Sequence, residues 1–378
     1  MKILGSFAAI LVIAAAGVAI MAQQFMNHSP SDSGESVRFE VAPGESFKTV
    51  AKKLEEQGLI TSARKFALYA RFSSTGAKVR VGEYALTRNM KPIEVLTIIG
   101  SGKSIQYSIT VPEGYNLFEI ARLIEQQGLA KKEEIISLAR DPAFVREMIG
   151  EDGPSLEGYL FPETYHLTKF TGPKGFLRMM VERFRENYAR LSSDRSWNAA
   201  HMTRSQLVTL ASIIEKETGA PEERPVISSV FHNRLKLKMK LQTDPTVVYG
   251  IWERTGEWNR NISRDDLLTP SRYNTYTIEG LPLGPIANPG FEALKAAGAP
   301  AATEYLFFVS RNDGTHVFSR DYSQHQNAVT KFQVDRKARE GKSWRDLKTR
   351  DHVPESVTEA TPVKAVKASK VSDPKTRP

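Results

Sequence analysis

The sequence predicts an α+β protein: an N-terminal transmembrane helix, then two small α/β modules, then a mixed helical/β domain. Three observations predict it. Ile3 to Ala22 is a run about as long as a bilayer is thick, with Ser6 its only conventionally polar side chain. Val41 to Leu59 lines up without gaps on Val111 to Leu129, at a constant offset of 70 residues. After Gly150 the pattern changes to apolar-periodic helices separated by Pro- and Gly-rich turns.

The first element follows from charge as well as length. Lys2 precedes the apolar run, and no Lys or Arg follows until Arg38. That asymmetry puts the N-terminus in the cytoplasm and the remainder outside. A cleaved signal peptide would have a shorter apolar stretch ending in a small-x-small site. Here the run continues past Ala14 to Ala19, so residues 1–26 are read as an uncleaved anchor in the cytoplasmic (inner) membrane, with the rest of the chain on the periplasmic side. Residues 27–36, from Asn27 to Ser36, are a polar linker.

Residues 37–150 hold the repeat. Phe47, Val50, Ala51 and Leu54 form an i, i+3, i+4, i+7 stripe, and Leu117, Ile120, Ala121 and Ile124 form its counterpart. Ser46 and Asn116 suit the N-cap, and Gly58 and Gly128 suit the C′ stop. A second helical segment follows each copy, at Ala63 to Phe72 and at Lys132 to Leu138. Val79 to Leu86 and Lys103 to Val111 supply strands. Two copies are too few for a solenoid, so they are read as a pair of modules. The Val-x-x-Gly start and Ile-Ala helix core resemble a LysM-type module, a small fold that holds N-acetylated glycans.

Residues 151–333 read as a separate domain. Glu157 to Tyr165 mixes aromatics, acids and Pro without period, as a loop with a short strand. Helices are expected over Gly175 to Leu191, Leu207 to Gly219, Arg224 to Leu237 and Phe291 to Ala297. Leu241 to Gly250 reads as a turn and then a helix, with Asp244 as cap and Pro245 at its first position. Ser271 to Pro289 is turn-rich, and Tyr305 to Ser310 pairs with His316 to Ser319.

Charge is carried unevenly. The 378 residues hold 52 Lys and Arg against 43 Asp and Glu, a net +9. Residues 334–378 alone contribute twelve basic and seven acidic side chains, or +5. This tail is poor in aromatics and rich in Pro, Ser, Thr and Lys, a disordered, solubilising composition. The basic excess therefore does not point to nucleic acid. With no cysteine in the chain, disulfides, thiol catalysis and iron–sulfur clusters are excluded. His232, His316 and His325 have no metal-ligand spacing, so neither metal nor other cofactor is expected.

The helix Leu207 to Gly219 organises the domain. Leu207, Leu210, Ala211 and Ile214 mark one face, yet two acids, Glu215 and Glu217, occupy the last turn. That end carries the negative pole of the helix, where ionised acids are disfavoured. Helical side chains lean over the residues three and four positions earlier. For Glu217 these are Ile213 and Ile214; for Glu215, Ala211 and Ser212. Glu217 therefore has the more apolar surroundings and the pKa pushed further up, which selects it as a proton donor. Glu215 is the alternative, otherwise orienting a neighbouring group.

Several motifs occur in order: Glu157-Gly-Tyr-Leu-Phe-Pro-Glu-Thr-Tyr165, Ala211-Ser-Ile-Ile-Glu-Lys-Glu-Thr218, Asn233-Arg-Leu235, Leu241-Gln-Thr-Asp-Pro-Thr246, Tyr273-Asn-Thr-Tyr-Thr277 and Gly280-Leu-Pro-x-Gly-Pro-Ile286. Together they resemble the YceG-like endolytic murein transglycosylases over roughly Val37 to Lys331. The resemblance implies cleavage of the MurNAc-β-1,4-GlcNAc bond inside peptidoglycan strands, leaving 1,6-anhydroMurNAc ends. It places the catalytic acid in the motif of Glu217. Because the muramyl C6 hydroxyl is the nucleophile, one carboxyl suffices where ordinary glycosidases use two.

Around that acid, Gln242 and Asp244 are expected to support the transition state, although Asp244 also serves as a helix cap. Glu157, Tyr159, Thr243, Tyr273, Asn274 and Tyr276 are expected at the substrate, core packing being the competing role for the aromatics. The expected partners are glycan strands, the membrane and wall-synthesis enzymes. Two readings compete: a hydrolytic muramidase using Glu157 or Asp244 as second carboxylate, and a non-catalytic glycan-binding scaffold.

Overall fold

The computed structural model describes residues 13, 17, 20–72, 78–194, 197, 202–217, 220–256 and 261–335. The expected anchor lies mostly outside the described residues, as do Gly219 and all but two residues of the tail. Among the described residues, no helix is long and apolar enough to cross a membrane. The chain forms two units, residues 1–304 and 305–378.

The mixed α+β class is observed. In the first repeat, β1 (Ser36–Val41) leads to α1 (Phe47–Glu56), α2 (Ala63–Phe72), β2 (Gly82–Thr87) and α3 (Pro92–Ser101). Ser46 caps α1 by accepting the Thr49 amide, and Val50, Ala51 and Leu54 are its buried stripe. Gly58 closes the turn at φ +70, a left-handed value that a Cβ would strain. β1 and β2 are antiparallel, with Phe39 opposite Tyr84. A two-stranded ribbon is marginal alone. Here Phe39, Val41, Tyr84 and Leu86 bury their side chains against Val50, Leu54, Phe66 and Ile99 of the three helices. Helix α3 escapes the sequence reading, although its signals are present: Pro92 in the first turn and Gly102 at φ +75 after the end.

The second repeat begins alike. β3 (Tyr107–Thr110) precedes α4 (Leu117–Gln126), whose cap Asn116 accepts the Glu119 amide, and then α5 (Lys132–Ala139) and α6 (Pro142–Ile149). Its sheet closes differently. β3 pairs with β4 (Thr164–Leu167), which follows the irregular segment 151–163, with Ile109 opposite Tyr165. The first repeat finds its partner strand before its next copy begins; the second takes one from the segment that follows.

The remaining helices of this unit are α7 (Gly172–Ser192), α8 (Arg204–Glu217), α9 (Arg224–Lys236), α10 (Asp244–Thr255), α11 (Arg264–Leu268) and α12 (Phe291–Gly298). α8 is buried on every side from Leu207 through Ile214, not along one stripe, because α9, α10 and α12 all pack on it. Helices apolar all round belong at a core's centre. The second unit holds the antiparallel pair β5 (Phe307–Ser310) and β6 (His316–Ser319), followed by α13 (Tyr322–Val329).

Candidate functional site

The two acids at the end of α8 part company. Glu215 turns inward, its side chain 5% exposed, and pairs with the Arg224 guanidinium at 3.0 Å. Its other oxygen accepts the Gly290 amide at 3.0 Å. It ties α8 to α9 and to the start of α12, and has no surface for a ligand. Glu217 ends the helix, partly open to solvent. The hydroxyl of Thr243 donates to its Oε1. Burial pushes the Glu217 carboxyl up to about 7; the Thr243 bond and the Arg234 charge pull it down, and nearby Asp244 pushes it further up. Near neutral pH it is therefore divided between acid and carboxylate, the state a proton-transfer group needs.

The floor under Glu217 is a set of three threonines. Thr243, Thr246 and Thr275 are 2%, 0% and 0% exposed. The Thr243 amide donates to Thr275 Oγ1 at 3.1 Å, Thr246 Oγ1 donates to the Thr243 carbonyl at 2.7 Å, and the Thr246 and Thr275 hydroxyls lie 2.9 Å apart. Gln242 bends the chain here at φ +51, an uncommon conformation for a residue with a Cβ. Its amide is held by the Thr275 carbonyl at 3.2 Å, and its side chain is exposed. Beneath the bend, nearly buried Arg234 donates to the carbonyls of Lys240 and Leu241 at 3.2 and 2.9 Å. Thr246, Thr275 and Arg234 have no site role in the sequence reading. Each stood inside a motif, and burial, which sequence does not display, is what recruits them.

On the rim, Tyr276 donates its hydroxyl to Asp244 Oδ1 at 2.6 Å, and Asp244 is exposed. The helix cap proves to be Thr243, with Asp244 the first helical residue. Asp244 is thus left available at the rim. Glu217, Gln242, Thr243, Asp244 and Tyr276 therefore come together.

Four expected substrate contacts do not join them, each for a packing reason. Glu157 is 1% exposed and accepts from the Leu117 amide, the Tyr249 hydroxyl at 3.0 Å and Asn288 Nδ2 at 2.8 Å. It sits at the positive N-terminal end of α4, locking the second repeat to the following helices. The turn after it requires glycine: Gly158 has φ +85, and a Cβ there would lie 2.5 Å from Pro285. Tyr159 is 3% exposed, bonded to Glu151 and edge-on to Phe184. Tyr273 is 6% exposed against Tyr249. Asn274, 1% exposed, spends its amide on the carbonyls of Asp266, Leu267 and Thr269. Among the described residues, no group of three or more acids and histidines is placed to hold a metal ion.

Fold and site together define an α+β protein with one carboxyl of raised pKa at the end of a buried central helix. The chain belongs to the YceG-like family, whose model matches residues 39–331. It is 30% identical over 331 residues to the endolytic murein transglycosylase of Bacillus subtilis (strain 168), covering 84% of this chain and 90% of that one. It is 26% identical over 330 residues to the protein of the same name from Streptococcus pneumoniae serotype 2, covering 79% of this chain and 59% of the relative. The crystal structure of a YceG-like protein from Listeria monocytogenes is similar with a TM-score of 0.53 at 31% identity, covering 78% of this chain and 99% of that one.

Proposed function

We propose that this chain is an endolytic peptidoglycan lytic transglycosylase in which Glu217 is the single acid and base. The observation that carries the reading is Glu217 itself, a partly exposed residue whose carboxyl burial lifts to about 7 and which accepts from the buried Thr243 hydroxyl. Protonated Glu217 donates to the glycosidic oxygen as the MurNAc C1–O bond breaks, releasing the GlcNAc hydroxyl. The C6 hydroxyl of the same MurNAc then bonds to C1 and gives its proton to the Glu217 carboxylate, which regenerates the acid. No water is consumed, and the new end is 1,6-anhydroMurNAc. A carboxyl of pKa near the working pH serves both transfers. Gln242, Asp244 and Tyr276 would line the sugar side.

The muramidase alternative needs a second carboxylate. Glu157 is sealed, which leaves Asp244. A membrane anchor over residues 1–26 would hold the enzyme outside the cytoplasm beside nascent strands, where cutting ends elongation alongside wall-synthesis enzymes. The repeated strand, capped helix and glycine stop support keeping the LysM-like reading of residues 37–150 as part of this proposal.

Mass spectrometry of muropeptides released from purified glycan strands tests the reaction. Anhydro ends are expected, and reducing ends would show hydrolysis instead. Glu217→Gln should abolish both release and anhydro ends. Continued cutting by Glu217→Gln together with loss in Glu215→Gln would overturn the assignment.

A further inference from the structure

The N-terminal helix ends inside the first repeat. Residues 20–27 are helical. Met26 is 1% exposed and belongs to the core of Phe39, Phe66 and Tyr84, and Phe25 packs against that core. Lys65 Nζ of α2 lies 5.9 Å from the centre of the Phe25 ring. Phe25 and Met26, which follow the apolar run in sequence, therefore pack on the folded module before the polar stretch 27–36 begins. Helix α2 is thus seated beside the residues that join the run to the module.

Helix α2 has an unusual outer face. It buries Phe66 and Ala70 and contains no acid. Arg64, Leu68, Arg71 and Phe72 follow at i, i+4, i+7 and i+8, on the side opposite the buried pair, and Lys65 flanks them. All five are exposed, Leu68 at 50% and Phe72 at 80%. Among the described residues, none of the three cations has an acidic partner within ion-pair distance. One exposed leucine is ordinary. Two large apolar side chains a turn apart, framed by three cations that have no acidic partner among the described residues, are the pattern of a helix lying in the headgroup layer of an anionic bilayer. Ile20 and Met21 at the helix leading into the module are also exposed, at 57% and 65%.

We propose that α2 is a second membrane contact, its Arg64, Lys65, Leu68, Arg71 and Phe72 face resting on the anionic lipid surface beside the anchor. The two contacts fix the orientation of the first module, so the rest of this unit stands at a set height above the membrane. This rests on the anchor reading of residues 1–26.

The absence of cysteine makes the test direct. The full chain is reconstituted in vesicles of phosphatidylethanolamine and phosphatidylglycerol, with single cysteines at Leu68→Cys, Phe72→Cys and, as a remote control, the exposed Glu182→Cys of α7. Each carries an environment-sensitive fluorophore, read against lipids with brominated acyl chains. The probes at 68 and 72 should lose emission to the brominated lipid and the probe at 182 should not. The combined Arg64→Glu, Lys65→Glu and Arg71→Glu change, or phosphatidylcholine in place of the anionic lipid, should restore emission at 68 and 72. Retention of the chain through an alkaline wash with unquenched probes at 68 and 72 overturns this proposal alone. Quenching that survives both the charge reversal and the neutral lipid also overturns it. Release of the chain by the wash overturns the anchor reading, and the docking with it.

Discussion

Glu157 and Glu217 are two glutamates in one unit, both pushed far above the usual carboxylate range by burial, to about 8 and about 7. Their surroundings differ. Glu157 is sealed and receives a backbone amide, a phenol and a side-chain amide. Among the described residues one hydroxyl donates to the Glu217 carboxyl, and the residue is partly exposed. A reluctant proton is therefore not enough to mark a catalytic acid. Saturation with donors and lack of access make Glu157 a structural clamp, whereas spare hydrogen-bonding capacity and an open side suit Glu217 to reaction.

The largest separation between the two is expected in activity. Glu217→Gln should cut turnover by about 10³-fold or more, the scale of removing an acid–base group, with an unchanged circular dichroism spectrum. Glu157→Gln keeps an acceptor and should cost only a few-fold. Rates of anhydromuropeptide release, measured beside circular dichroism, check both. Comparable losses in the two variants would erase the distinction.

Stability should reverse the ranking. Glu157→Ala strips partners from the Leu117 amide, the Tyr249 hydroxyl and Asn288 Nδ2 at once. At about 1–3 kcal/mol for each buried group left unpaired, partly relieved by relaxation, a loss of about 3–5 kcal/mol is expected in urea unfolding. The pH dependence sharpens this. A carboxyl at 4.5 when unfolded and about 8 when folded keeps its proton longer in the folded state. Its favourable contribution is complete below pH 4.5 and fades as pH rises toward 8. Glu217 acts in the same direction up to about 7. The wild-type midpoint should therefore fall between pH 5 and 8, and Glu157→Gln should flatten the fall across that whole range, leaving only the Glu217 contribution below about pH 7.

The same contrast explains what could be read from the sequence. Caps and stops are local, so Ser46, Asn116, Gly58 and Gly128 announced their helices, and the periodic stripes gave the core faces of α1 and α4. The apolar neighbours Ile213 and Ile214 gave the direction of the Glu217 shift. Pairing across long separations was not local. Nothing near Tyr107 indicates that its strand partner lies at Thr164 to Leu167. Nor does the Glu157 stretch show that its acid will meet Tyr249 and Asn288, 92 and 131 residues later. Polar and aromatic residues in an irregular segment look like a ligand surface until the chain that covers them is known. Glu157, Tyr159, Tyr273 and Asn274, expected at the substrate, are buried by packing that the sequence does not display, and so are Thr246, Thr275 and Arg234 beneath Glu217.

Glu215 tests whether adjacency in sequence matters. Glu215→Gln weakens a nearly buried ion pair and leaves Arg224 with Glu113 as its acidic neighbour, at 3.8 Å. Breaking such a pair costs about 3 kcal/mol, less here because Gln still accepts a hydrogen bond. A lower melting temperature with near-normal activity per folded molecule is expected. Intact stability with lost activity would move the catalytic role from Glu217 to its neighbour two residues away.

The smallest effect is the most specific. Thr243 donates to Glu217, which favours the carboxylate, so its hydroxyl restrains the upward push of burial. Thr243→Val keeps the shape and removes the donor. A hydrogen bond to a charged group contributes about 1.5–3 kcal/mol, which converts to an upward shift of about one to two pKa units. Because the proposed reaction begins from protonated Glu217, kcat/KM should fall as pH rises through that pKa, and in the Val variant the falling limb should move to higher pH. Thr243→Ser should return it. A role confined to packing would lower activity equally at every pH and leave the limb in place. A role in holding the sugar would raise KM while leaving the kcat profile unmoved. Only a hydroxyl acting on the acid displaces the limb itself, and Glu157, with its carboxyl already saturated and sealed, has no counterpart to that response.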